Sequence, residues 1–131
     1  MDDAVKDAVT RWMTLAAEDI EMAETAVRKK RLARPACFHA QQTVEKCLKG
    51  FFAFKRLDVE RTHDLVRLLD SCARLDDRFW AFRDHCDALA MYAVTPRYPD
   101  DWRDIPQSEA REAVRLAKEV MEFVKGMLEA G

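Results

Sequence analysis

Apolar positions recur along most of this chain at three- and four-residue intervals, the period of helices, and strand-like alternation occurs nowhere. The run from Pro35 to Phe54 is the densest such stretch. Phe38, Gln41, Glu45, Leu48 and Phe52 fall along one stripe at about 100° per residue, while Cys37, Val44, Cys47, Phe51 and Phe54 cover much of another side. A helix apolar over so much of its circumference is walled in by neighbours. Pro35 suits its first turn, where the missing N–H costs nothing. Between the two sides runs a polar strip, His39, Gln42, Lys46 and Lys49. Two readings stay open for it: a solvated seam, or an interior-facing strip that carries function.

The flanking segments follow the same pattern. Residues 3–28 predict a first helix with Trp12, Ala16, Asp19, Ala23 and Ala26 on one face. Asp19 lies at the middle of that face. A carboxylate buried there needs a cation or donors, because burying it alone costs several kcal/mol, and Lys46 or Lys49 could supply one; the other reading sets Asp19 at a wet edge of the stripe. Thr62 is a plausible N-cap for a short third helix with Leu65, Leu68, Leu69 and Cys72 inward, and His63-Asp64 in its first turn. Asp76 or Asp77 opens a fourth, burying Phe79, Phe82, Cys86, Leu89, Ala90 and Ala93. Three prolines, Pro96, Pro99 and Pro106, forbid a helix over 95–107. That stiff stretch holds Arg97, Tyr98 and Trp102, either as a clip closing the end of the bundle or as part of a site. Residues 108–129 make the last helix, with Ser108 as its cap. The expected architecture is all-α: one domain over 1–131, an antiparallel up-and-down bundle of four long helices plus a short one.

Composition narrows the chemistry. With 49% hydrophobic and 35% charged residues the chain is no disordered polymer. No apolar run approaches the roughly 18 residues of a membrane span, and the Met-Asp-Asp start carries no export pattern, so a cytoplasmic protein without membrane contact is expected. Four scattered cysteines, Cys37, Cys47, Cys72 and Cys86, show neither zinc spacing nor a disulfide framework and read as buried thiols. No metal or cofactor is expected. A net charge of −2 removes a bulk nucleic-acid footprint but leaves room for a local one. Arg28-Lys29-Lys30-Arg31 with Arg34 is the strongest basic cluster. The helix dipole accounts for Arg28 and Lys29 and leaves a phosphate-contacting patch open.

The order Glu18-Asp19, Phe38-His39-Ala40-Gln41-Gln42, Glu45-Lys46-x-x-Lys49, Thr62-His63-Asp64-Leu65 and Arg97-Tyr98-Pro99-Asp100 resembles the HEPN domain (higher eukaryotes and prokaryotes nucleotide-binding) from about residue 10 to 125. The resemblance implies a helical bundle that commonly dimerises and is often encoded beside a minimal nucleotidyltransferase, in a toxin–antitoxin-like pair. Some HEPN proteins are metal-independent ribonucleases that use an arginine and a histidine with four to six residues between them. Arg34 with His39, and Arg78 with His85, meet that spacing. Among fourteen arginines and three histidines such spacing carries little weight, and Pro35 and Phe79 stand where the nuclease members often have a polar residue. No catalytic residue is assigned. The expected function is a homodimeric module binding nucleotide or RNA through His39, Gln42, Lys46, Lys49, Arg97 and Tyr98, with Asp19 as a structural buried charge and a minimal nucleotidyltransferase as partner. The rivals are a metal-independent endoribonuclease toxin and a purely structural dimer.

Overall fold

The central helix of the computed structural model, α2 (Ala33–Phe54), buries Cys37, Val44, Cys47, Leu48 and Phe51 to 2% exposure or less. The structure describes residues 1–93 and 102–131. α2 packs most extensively against α1 (Asp3–Ala26) and next against α5 (Gln107–Ala130). α1 presents the expected small-residue face: Ala16, Ala23 and Ala26 are buried and Trp12 half-buried, joined by Val9 and Ile20. Gly50 permits the close approach, since a Cβ there would lie 3.2 Å from Met13 Sδ and 3.4 Å from Trp12 Cβ. On α5 the residues at helical spacing, Ala113, Val114, Ala117, Val120, Met121, Val124 and Leu128, are buried.

α3 (Leu65–Leu75) is the short helix, with Leu65, Leu68, Leu69 and Cys72 fully buried. The expected fourth helix is one continuous helical run over residues 77–93 of mixed winding. A 3-10 stretch (Asp77–Phe82) leads into α4 (Arg83–Ala90), which tightens again over Met91–Ala93. Phe79 fills the core from the 3-10 part, its ring 4.6 Å from Phe51 and 5.1 Å from Phe123 in edge-to-face geometry. Among the described residues the architecture is all-α, and no helix is long and apolar enough to cross a membrane.

Two expected caps are corrected. Asp64, not Thr62, caps α3: its carboxylate accepts from the Arg67 N–H, while Thr62 Oγ1 accepts from the Asp64 N–H one step outside the helix. His63 and Asp64 therefore precede the first turn. At α5 the cap position is Pro106, which offers no side-chain acceptor, and Ser108 already lies inside the helix.

α2 ends in a Schellman turn, Arg56 N–H to Ala53 and Leu57 N–H to Phe52. The turn needs a left-handed residue, and Arg56 supplies it at φ 61°. A side chain is strained there where glycine is not. Arg56→Gly loses an exposed pair with Asp2, which is worth little. We expect it to stabilise the protein by about 0.5–1 kcal/mol, measured as a higher urea midpoint with an unchanged slope.

Candidate functional site

The polar positions of α2 divide between two neighbours. His39, Gln42 and Lys46, at i, i+3 and i+7, face α1; Gln41 and Glu45 meet His63 in the segment before α3, and Lys49 lies between Glu45 and Trp12 of α1. Asp19 comes to the first group from α1 and is itself buried at 8% exposure. Its Oδ1 accepts from His39 Nδ1 at 2.9 Å and its Oδ2 from Lys46 Nζ at 2.5 Å. Lys46 also donates to Gln42 Oε1 at 3.3 Å. Of the two lysines anticipated for Asp19, Lys46 is the one that reaches it.

Lys49 is committed elsewhere. Its Nζ lies 3.2 Å from Glu45 Oε2, both side chains under 10% exposed, and 5.7 Å from the centroid of a Trp12 ring. Glu45 accepts as well from His63 Nδ1 at 3.0 Å. Gln41 Nε2 donates to the His63 carbonyl at 3.4 Å, and Gln42 Nε2 donates to Gln41 Oε1 at 2.6 Å, which joins the two groups into one network. Two carboxylates and two ammonium groups thus compensate each other inside the bundle, the condition for buried charge to be tolerated.

The network fixes two imidazoles. A carboxylate only accepts, so each Nδ1 facing one carries the hydrogen, leaving Nε2 as the open nitrogen. His63 is 76% exposed in its side chain and His39 20%. His39 lines a groove of about 420 Å³ whose walls are mostly apolar, Met22, Ala26, Leu32 and Pro35, with Glu21 and Thr25 completing the lining. The structure therefore brings His39, Gln42 and Lys46 together with Asp19 and sets Lys49 on the adjoining carboxylate. Arg97 and Tyr98 lie outside the described residues. Spacing pointed to the strip but missed Gln41, Glu45 and His63. The available signal was a glutamine and a glutamate at i, i+4 within an otherwise apolar stripe.

A second polar cluster holds the start of α5. The Tyr92 hydroxyl donates to Glu109 Oε2 at 2.5 Å, and Arg103 binds both carboxylate oxygens of Glu109 at 2.9 and 2.6 Å. These bonds hold the Glu109 carboxyl below its ordinary range, while burial, then the bond to Glu109, push the Tyr92 phenol up. All four cysteines are buried free thiols. Burial pushes Cys37 to about 11 and Cys47 and Cys86 to about 12.

Neither arginine–histidine pair of nuclease spacing is joined by a hydrogen bond. Arg34 stacks on Trp102, 4.2 Å from the ring centroid, and donates to the Arg103 carbonyl, whereas His39 is bound to Asp19. Arg78 is engaged by Asp76 and His85 by Glu119. Among the described residues, no group of three or more His, Cys, Asp or Glu side chains is placed to hold a metal ion.

Among the described residues, a five-helix all-α bundle with a charge-compensated seam on its central helix defines the class. The HEPN domain family matches residues 9–127, and the chain belongs to that family. Its fold is similar to the crystal structure of TT1696 from Thermus thermophilus (TM-score 0.75, 27% identity, covering 90% of this chain and 96% of that one). It is likewise similar to ST0689, an archaeal HEPN homologue (TM-score 0.73, 25% identity, 92% and 97% covered). No curated protein matches the chain.

Proposed function

We propose that this HEPN module binds the phosphate-bearing end of a nucleotide or RNA at the groove beside His39, acting as a homodimer with a minimal nucleotidyltransferase as its partner. The observation that supports the site is the Asp19–His39 contact. It fixes the ring with Nε2 as the open nitrogen in an apolar-walled groove, with Lys46 and Gln42 behind it. Apolar walls suit a base or sugar, and an imidazolium, which carries a second N–H at Nε2, suits an anionic oxygen. The test is thermal melting with AMP, ATP or a short RNA. A ligand at about a hundred times its Kd adds about 2.7 kcal/mol, a rise of several degrees, and His39→Ala is expected to remove it. No rise with any of the three at millimolar concentration removes the site. Sedimentation tests the homodimer, and co-purification with the co-expressed enzyme tests the partner.

A ribonuclease reading has one observation in its favour: a histidine oriented by a carboxylate is the arrangement of a general base. It predicts RNA cleavage in EDTA that His39→Ala abolishes. If neither assay responds while sedimentation reports a dimer, the module is a scaffold.

A further inference from the structure

The cations of the polar strip are neutralised by Asp19 and Glu45. Those of the connection between α1 and α2 are not. Arg28, Lys29, Lys30 and Arg31 are all exposed, and none is in an ion pair among the described residues. The segment leading into α5 runs beside this connection and is pinned at both ends of it. At one end Arg34, in the first turn of α2, stacks on Trp102 and bonds the Arg103 carbonyl. At the other, Gln107 Nε2 donates to the Val27 carbonyl at 2.8 Å, where α1 stops. Trp102 is held as a platform: its Nε1 donates to Asp104 Oδ1 at 3.2 Å, the adjoining Arg103 is clamped by Glu109, and the indole is nevertheless 60% exposed. An indole fixed by its neighbours yet open to solvent contributes nothing to the core.

We propose that the α1–α2 connection and Trp102 form a binding edge for single-stranded nucleic acid, with a base on the indole–guanidinium stack and the backbone phosphates along Lys29, Lys30 and Arg31. Unpaired cations bind phosphate through counterion release, and an aromatic platform beside a basic track is how single strands are held without sequence readout. A duplex hides its base faces and gains nothing from the platform, and an acidic peptide has no base to stack. The groove farther along α5 is not part of this edge, since Glu24, Glu119 and Glu122 line it among its cations. The proposal uses residues other than the His39 groove, so either can fail alone.

The test is fluorescence anisotropy of a labelled single-stranded RNA of about twelve nucleotides against the full chain over a range of salt concentrations. Trp102→Ala is expected to weaken binding about tenfold or more, Trp102→Phe to retain most of it, and Trp80→Ala, at another exposed indole, to leave it unchanged. The triple variant Lys29→Ala, Lys30→Ala, Arg31→Ala is expected to lower the slope of log affinity on log salt by about 2. The rise in melting temperature with AMP is read separately on the Trp102→Ala variant and is expected to persist there, which distinguishes failure of this edge from failure of the His39 groove. Binding that ignores Trp102→Ala, binding of a duplex as tight as that of the single strand, or no binding at low salt overturns the proposal.

Discussion

Lys49→Met is expected to cost about 3–5 kcal/mol, the range for removing one partner of a buried ion pair. The methionine fills nearly the same space beside Trp12, so packing changes little. What changes is Glu45: its carboxylate, 3% exposed, keeps His63 and Gln41 as donors but loses the ammonium group that balances it. Guanidinium unfolding at neutral pH reads the loss, and a melting temperature lower by ~10 °C accompanies it. Glu45→Gln combined with Lys49→Met is expected to recover most of the stability, because a neutral amide beside a thioether carries no uncompensated charge. If the single variant is as stable as the parent, Glu45 and Lys49 are not coupled in the way their 3.2 Å separation implies.

Phe79→Ala is expected to have a comparable effect for an unrelated reason. The ring has no exposed surface and sits between Phe51 of α2 and Phe123 of α5. Truncation leaves a cavity among side chains that belong to different helices, and such substitutions cost about 3–5 kcal/mol. Each edge-to-face pair accounts for about 0.5–1.5 kcal/mol of that. Phe79→Leu keeps most of the volume and is expected to fall well short of this loss. Calorimetry on the two variants separates the cavity from the aromatic geometry.

These two positions also show what the sequence disclosed and what it withheld. Phe79 stood at the head of an apolar repeat, so its burial followed from spacing alone; that its backbone is wound as a 3-10 helix did not, because both windings place Phe79 and Phe82 on one side. The helical class and the enclosure of α2 were legible because apolar residues occupy most of that helix's circumference. The ion pairs were only half legible. Asp19 called for a lysine, but Lys46 and Lys49 lie less than a turn apart, and the choice depends on how far α1 is shifted along α2. That offset is set by the fit of Met13 and Trp12 against Gly50, a matter of shape between distant residues that no periodicity records. Glu45 and Gln41 were placed correctly on their stripe, yet the histidine that meets them comes from a segment without regular structure, where spacing says nothing about direction. The caps went astray because Thr62 and Ser108 are good N-cap residues lying within two positions of the true ends. The expected contribution of Arg97 and Tyr98 falls outside the described residues.

The four thiols carry a practical consequence. Enclosed and held in the protonated form, Cys37, Cys47, Cys72 and Cys86 offer no thiolate to an alkylating reagent while the bundle is closed. They are spread over α2, α3 and α4, so the order in which they acquire label is a record of which helix lets go first. The chain carries its own probes of local opening, with no foreign cysteine to be introduced.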